Sequence, residues 1–148
     1  MDPKSKIAGK RILVVDDEQD VLDTVYAMLD VCKIDTALTF EEGQRLLEES
    51  VYDVAILDIM GVRGFELLEI AKRRGVPALM LTAHGLSEEN LKRSAEEGAS
   101  YYAPKEKMAD LPGFGADVLE ARERRRSPWV RWFERLTEFY DRRFGGTD

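Results

Sequence analysis

The stretch ILVVDDE, residues 12–18, decides the fold. Its aliphatic part has the length and composition of a buried strand, and the acidic pair Asp16 and Asp17 follows immediately. The same arrangement recurs further along the chain, with Asp58 after VAIL, Thr82 after ALML and Lys105 after YYAP. The chain therefore repeats one pattern: an apolar strand that ends on a residue able to handle phosphate or a metal ion.

Segments with helical patterning separate these strands. Strands are predicted at residues 11–15, 33–37, 54–57, 78–81 and 100–102. Because short connections and right-handed crossovers place helices on both sides of a parallel sheet, this alternation predicts an α/β fold. We expect a doubly wound, flavodoxin-like sheet of five strands in the order 2-1-3-4-5, with an extra C-terminal helix.

The polar residues at the strand ends are expected to meet. The carboxyl ends of parallel strands lie along one edge of a sheet, so the carboxylates, the hydroxyl and the ammonium should converge in one crevice. Clustered carboxylates repel one another unless a cation offsets them, and Mg²⁺ prefers oxygen ligands together with phosphate oxygens. The sequence thus predicts a site for Mg²⁺ and a phosphoryl group, with Asp58 beside the metal as the nucleophile.

These motifs resemble those of the receiver domain of bacterial two-component response regulators. The motifs that carry the resemblance are Val14-Val15-Asp16-Asp17-Glu18, Ile56-Leu57-Asp58, Leu81-Thr82-Ala83 and Ala103-Pro104-Lys105. Each is weak alone, but all four in order, with helix-length spacers between them, are specific. We predict a receiver domain over residues 8–110 and a helical extension over residues 111–148 that is not an independent output domain.

The resemblance implies a metal site that holds Mg²⁺ as cofactor. Asp16 and Asp17 match the acidic pocket of the family, and Asp17 matches a residue that is usually a direct ligand. Asp58 matches the phosphoacceptor, which also contacts the metal. The backbone carbonyl of Met60 would complete the coordination, so its side chain has no part in that role.

The resemblance also implies a catalytic cation and a switch pair. Lys105 would pair with Asp58 and then with the phosphoryl oxygens. Thr82 would turn its hydroxyl toward the phosphoryl group, and Tyr102 matches the aromatic residue that responds to that movement. Phosphoryl transfer needs little from a protein beyond positioning and charge stabilisation, so this small set of residues suffices.

Two departures from the family pattern flank the predicted site. The loop from Asp58 to Gly64 is shorter than usual and lacks the family's Met-Pro pair. Glu106 stands where a proline frequently follows the lysine. We expect the phosphoacceptor assignment to hold, whereas the metal geometry and the rates do not transfer from the family.

Composition limits the partners and the compartment. The chain of 148 residues carries a net charge of −7, which argues against direct binding of nucleic acid because that binding depends on Lys and Arg. No apolar run reaches the length of about 18 residues that a membrane span needs, and the start MDPKSKIAGK lacks the apolar stretch of a signal peptide. We therefore expect a cytoplasmic protein.

The C-terminal segment carries an aromatic stripe at helical spacing. Ser127 and Pro128 are typical of a helix start, and the stripe consists of Trp129, Trp132, Phe133, Leu136, Phe139 and Tyr140. A helix face as apolar as this is not expected to stay exposed to water, so it must pack against another surface. It packs on the receiver domain, associates with a second copy or a downstream protein partner, or binds a membrane surface, which we consider the least favoured of the three.

Three hypotheses for function follow. In the first, a sensor histidine kinase or a phosphotransfer protein phosphorylates Asp58, and the chain relays the signal by changed protein association. Such a switch is no enzyme beyond catalysing its own phosphorylation and dephosphorylation. The second is a pseudo-receiver scaffold that works without phosphorylation. The third is a Mg²⁺-dependent phosphohydrolase, which is disfavoured because haloacid-dehalogenase-like enzymes usually carry an aspartate where this chain has Met60.

Overall fold

A computed structural model of the chain describes residues 2–83, 87–124, 127 and 129–140. Its centre is one parallel sheet, in which neighbouring strands pair in the order β2-β1-β3-β4-β5. The strands are β1 (Arg11–Val15), β2 (Lys33–Ala37), β3 (Val54–Asp58), β4 (Ala78–Thr82) and β5 (Tyr101–Pro104). The predicted fold and strand order are confirmed.

Helices connect the strands and extend the chain beyond them. They are α1 (Pro3–Ile7), α2 (Gln19–Met28), α3 (Phe40–Glu49), α4 (Gly64–Arg73), α5 (Glu88–Glu96), α6 (Leu111–Arg124) and α7 (Trp129–Tyr140), with a 3₁₀ helix at Lys105–Asp110. The first of these was not predicted. It buries Ile7 and packs mainly against α6.

The packing of these elements places the sheet in the core. Every residue of β3 and β4 is buried, as expected for central parallel strands covered on both faces. The helices α2 and α6 contact each other, whereas α3 contacts α4. Side-chain caps start two of the helices, because Thr39 Oγ1 accepts a hydrogen bond from Glu42 N at 3.2 Å and Ser87 Oγ accepts one from Asn90 N at 3.3 Å.

The C-terminal helix α7 lies against β5, one of the two edge strands of the sheet. The aromatic stripe therefore packs on the receiver domain of the same chain, which is one of the three arrangements expected for it. Trp132 is 1% exposed and Leu136 is 3% exposed, so both join the main core. Phe133 faces outward with 58% exposure. Trp129 and Phe139 are partly buried against the core, whereas the side chain of Tyr140 lies outside the described part of the chain.

The boundary between a receiver domain over residues 8–110 and an extension over residues 111–148 stays a prediction. On the structural side, Phe114 and Val118 of α6 belong to the same hydrophobic core as the sheet. Among the described residues, no helix combines the length and the apolar character that crossing a bilayer requires.

Candidate functional site

The sheet brings the predicted residues to one edge. Asp16 follows the last residue of β1, and Asp58 and Thr82 are the last residues of β3 and β4. The register pairs Asp58 with Leu81 and Thr82 with Pro104, so the ends of the three strands are neighbours. Lys105 opens the 3₁₀ helix directly after β5. The resulting crevice lies at the carboxyl edge of the sheet, as the topology requires.

The ammonium of Lys105 joins three carboxylates. Its Nζ lies 2.9 Å from Asp16 Oδ2, 3.1 Å from Asp58 Oδ1 and 3.1 Å from Glu18 Oε1. Burial lowers the pKa of this ammonium, but the bonds to Asp16 and Glu18 and the charge of Asp58 outweigh that effect and raise the pKa overall. Lys105 therefore stays charged and holds two strand ends together.

The carboxylate of Asp16 is buried and incompletely bonded. Burial raises its pKa, although the bonds from Lys105 and from the backbone of Glu18 act in the opposite direction. Its Oδ1 accepts a hydrogen bond from Glu18 N at 2.9 Å. Its Oδ2 lies 2.9 Å from Lys105 Nζ in an ion pair and has no other polar contact among the described residues. This oxygen can therefore take a further cation.

Asp58 is held at both carboxylate oxygens. Its Oδ1 pairs with Lys105 Nζ, and its Oδ2 accepts a hydrogen bond from Gly61 N at 2.9 Å. The residue is buried at the end of β3. Its carboxylate therefore has a fixed orientation toward the crevice.

Asp17 and Glu18 complete the acidic side of the crevice. One carboxylate oxygen from each of Asp16, Asp17 and Glu18 can lie within 4.8 Å of the others. Asp17 lies directly over Gly61, since a Cβ on that glycine would come within 2.3 Å of Asp17 Oδ1. Sequence reasoning assigned no role to Glu18, although it belongs to the motif that carries the resemblance.

The short loop after β3 folds back onto Asp58. Met60 lies in this loop with its side chain 79% exposed, and Arg63 adopts a left-handed backbone with φ 54°. A Cβ on Gly64 would come within 2.2 Å of the carbonyl oxygen of Asp58, so only glycine fits there. The left-handed backbone of Arg63 and the close approach of Gly64 to Asp58 allow this shortened loop to reach α4.

Thr82 and Tyr102 lie near the carboxyl ends of the neighbouring strands β4 and β5. Both are buried, and the hydroxyl of Tyr102 accepts a hydrogen bond from Ser87 N at 3.1 Å and donates one to Ser87 O at 3.3 Å. Burial raises the pKa of Tyr102, whereas the hydrogen bond from Ser87 N and the nearby Thr82 side chain act to lower it.

A parallel five-stranded sheet that carries an acidic crevice and a lysine at its carboxyl edge is the arrangement typical of receiver domains. The sequence model of the response regulator receiver domain family matches residues 12–112, and the chain belongs to this family. Receiver domains of this kind serve phosphorylation-dependent signalling in two-component systems. No protein of curated function gives a match.

Solved structures give the same result. The chain is 32% identical to a CheY-like response regulator receiver domain protein from Methanospirillum hungatei JF-1, with a TM-score of 0.71 over 80% of this chain and 99% of that one. The receiver domain of NtrX from Brucella abortus is 30% identical, with a TM-score of 0.65 and coverages of 74% and 98%. The BeF3-activated receiver domain of DrrB, a Thermotoga maritima protein, is 28% identical, with a TM-score of 0.67 and coverages of 76% and 98%.

Proposed function

We propose that the chain is a phosphorylation-controlled switch in which Asp58 accepts a phosphoryl group from a sensor histidine kinase or a phosphotransfer protein. The observation that carries the proposal is the position of Lys105 Nζ, within 3.1 Å of both Asp16 and Asp58. One cation thereby links the acceptor carboxylate to the acidic pocket. The downstream signal is a change in protein association, and the expected compartment is the cytoplasm.

The residues of the crevice divide the work of the transfer. An oxygen of Asp58 attacks the phosphorus while the bond to the donor nitrogen breaks, and the electrons of that bond leave with the donor. Gly61 N and Lys105 Nζ hold the carboxylate in place before the attack. Lys105 then stabilises the negative charge that spreads over the phosphoryl oxygens.

The donor set of the crevice fits Mg²⁺, a hard cation that takes oxygen ligands. Asp16, Asp17, Asp58 and the carbonyl of Met60 would hold it, and the buried Asp16 Oδ2 has the ion pair with Lys105 as its contact among the described residues. Glu18 is a further oxygen within reach of the same cluster. When bound, Mg²⁺ supplies the positive charge that offsets the repulsion between these carboxylates and the incoming phosphoryl group.

Thr82 and Tyr102 form the proposed switch. The phosphoryl group on Asp58 offers new acceptor oxygens near the end of β4, where Thr82 lies. Moving the Thr82 hydroxyl to one of them would change the surroundings of Tyr102, which is buried and whose hydroxyl bonds to the backbone of Ser87. The chain is then no enzyme in the usual sense, because the only reactions it promotes are its own phosphorylation and dephosphorylation.

The test is phosphorylation of the full chain by acetyl phosphate and Mg²⁺, followed by intact mass. We expect a phosphoryl adduct on the wild type and none on Asp58→Asn. The matched control is Asp53→Asn, which removes a carboxylate at the opposite end of the same strand, where Asp53 accepts a hydrogen bond from Arg11 N at 2.9 Å. This control should be phosphorylated like the wild type.

The other outcomes separate the competing hypotheses. An equal adduct on Asp58→Asn would contradict the assignment of the acceptor. A wild type that neither forms an adduct nor binds beryllofluoride would favour the pseudo-receiver scaffold. Continuous release of phosphate from phosphoesters would favour the phosphohydrolase.

A further inference from the structure

The loop between β3 and α4 touches the proposed phosphoacceptor at two points. Gly61 N donates a hydrogen bond of 2.9 Å to Asp58 Oδ2, and the backbone of Gly64 lies close against the carbonyl oxygen of Asp58. Met60, whose carbonyl is the proposed metal ligand, belongs to the same loop. The conformation of this loop therefore bears both on the orientation of Asp58 and on the metal site.

Arg63, the residue before α4, has a backbone conformation that residues with a side chain seldom adopt. Its φ of 54° and ψ of 54° lie in the left-handed region. Among the described residues, it is the only one other than glycine with a positive φ. Such a conformation persists where surrounding contacts hold it. The side chain of Arg63 makes contacts of that kind.

Two partners fix the guanidinium of Arg63. Its carbon lies 3.9 Å from the centre of the Phe40 ring, at the start of α3, in a cation–π contact. Its Nε lies 3.2 Å from Glu66 Oε1, and its Nη2 bonds to Glu66 Oε2. Phe40 is itself packed against the core, and Glu66 lies in the first turn of α4. The side chain of Arg63 thus ties the end of the loop to two helices.

The backbone of Arg63 sets the direction of the loop relative to α4. The chain turns from loop to helix at this residue, so its φ and ψ determine how residues 59–62 approach the helix. If Arg63 relaxed to the right-handed region that arginine ordinarily prefers, Gly61 N would be displaced from Asp58 Oδ2. Contacts that stabilise the left-handed backbone therefore stabilise the bond to Asp58.

We propose that Arg63 is a positioning residue for the phosphoryl-transfer site, because its side chain, stacked on Phe40 and paired with Glu66, holds the shortened loop with Gly61 N on Asp58. The inference rests on the proposed function. Arg63 acts through the backbone of the loop and takes no part in the chemistry. Its release should weaken the binding of Mg²⁺ and of beryllofluoride about tenfold, a loss typical of contacts that orient a metal ligand from outside.

The sign of the effect separates positioning from charge. A cation near the acidic crevice repels Mg²⁺, so the loss of the Arg63 charge alone would leave the affinity for Mg²⁺ unchanged or raise it. We expect Arg63→Gln to lower it. Phe40→Leu removes the ring under the guanidinium and leaves every charge in place, so it should also lower the affinity. The losses should not be additive in the double variant, because both substitutions remove the same contact.

Arg63→Asn tests whether the effect passes through the backbone. Asparagine adopts the left-handed region more readily than most residues and is favoured at the start of a helix, where Arg63 lies. This variant should therefore bind Mg²⁺ more tightly than Arg63→Gln and less tightly than the wild type. Equal affinities in the two variants would overturn the proposal, since the loss would then be independent of the backbone conformation.

Arg93 provides a matched control. Its guanidinium carbon lies 4.0 Å from the centre of the Phe65 ring, and its Nε pairs with Glu97 on its own helix. Its side chain is 56% exposed, against 54% for Arg63. Arg93→Gln thus removes the same two kinds of contact outside the loop, and it should bind Mg²⁺ and beryllofluoride like the wild type.

Calorimetric titration of the full chain with Mg²⁺, and with beryllofluoride in the presence of Mg²⁺, measures these affinities, and urea denaturation shows that each variant is folded. Wild-type affinity in Arg63→Gln, or an equal loss in Arg93→Gln, would overturn the inference and leave the proposed function intact. A wild type that binds neither Mg²⁺ nor beryllofluoride would contradict both. If Phe40→Leu fails to fold, the variants of Arg63, which change a side chain that is 54% exposed, still decide.

Discussion

Two regions of the molecule hold a buried carboxylate against a basic side chain from a distant part of the sequence, but their charges balance differently. One is the crevice. The other, here called the dock, is the contact of α7 with α6 and β5, where Arg135 binds Asp117 and Trp132 binds the backbone of Tyr102. In the crevice, one ammonium with 10% side-chain exposure serves Asp16, Glu18 and Asp58. In the dock, Arg135 with 42% side-chain exposure pairs with Asp117, its one ion-pair partner among the described residues. An excess of buried acid needs a further cation, whereas a matched pair does not.

The difference shows how to tell a site from a structural contact. In the crevice, the buried oxygens of Asp16 and Asp58 share the single ammonium of Lys105, so their negative charge is only partly offset among the described residues. The dock satisfies both oxygens of Asp117 through Arg135 and Tyr101. The crevice is therefore arranged for binding and the dock for holding α7.

The largest expected effect tests whether the dock is structural. Trp132→Ala removes a fully buried indole and its bond to Tyr102 O, so the free energy of unfolding should fall by about 3 kcal/mol. Phe133→Ala, one residue away and largely exposed, should change it by about 0.5 kcal/mol or less. Urea denaturation of the full chain measures both, and equal small losses would show that α7 contributes little to the fold.

The crevice was largely predictable from the sequence because each of its parts is local. A strand and the polar residue after it are adjacent in the chain, and parallel pairing alone brings the ends together. The bounds of β1 and β2 match the predicted ranges, and Asp16, Asp58 and Lys105 meet as expected. The backbone of the short loop could not be predicted, since nothing in the residue type of Arg63 requires a left-handed conformation.

The dock was less predictable because its contacts join residues with no local signature. Asp117 lies in a helix where an acidic residue usually faces water, and only tertiary packing brings Tyr101 and Arg135 to it. The helix α1, by contrast, has a recognisable start in the sequence. Asp2 caps it by accepting a hydrogen bond from Lys4 N at 3.4 Å, and Pro3 occupies its first position.

An effect of intermediate size is expected on the affinity for Mg²⁺. It compares two glycines that lie under charged side chains, one in the crevice and one in the dock. Gly61→Ala would displace the carboxylate of Asp17, so the affinity for Mg²⁺ should fall about tenfold. The cost in stability should be small, because the displaced atoms are the end of a flexible side chain. Gly113→Ala lies in the dock, where its Cβ would press more lightly on Arg135 at 3.3 Å, and it should leave Mg²⁺ affinity unchanged.

Calorimetric titration with Mg²⁺ measures both glycine variants. Equal losses of affinity would mean that the two regions are not separate, and no loss in Gly61→Ala would remove Asp17 from the ligand set.

The smallest expected effect is a change in the free energy of unfolding when a buried carboxylate is neutralised. The change has opposite signs in the crevice and in the dock. Burial raises the pKa of Asp16 above its ordinary value of 3.8, so the folded chain binds this proton more tightly than the unfolded chain does. The free energy of unfolding therefore falls as the pH rises from 3.8 to the raised pKa and stays low at neutral pH. Asp16→Asn should remove this cost and stabilise the Mg²⁺-free chain at pH 7 by about 1 kcal/mol.

Asp117→Asn should instead destabilise the chain, because it breaks a matched pair with Arg135 and gains no relief from crowded charge. Urea denaturation of both variants from acid to neutral pH, without Mg²⁺, gives the two signs. The difference between Asp16→Asn and the wild type should grow as the pH rises and then level off. A loss of stability in Asp16→Asn at pH 7 would mean that Lys105 already compensates the buried charge in full, and the case for a second cation in the crevice would then rest on Asp17 and Glu18 alone.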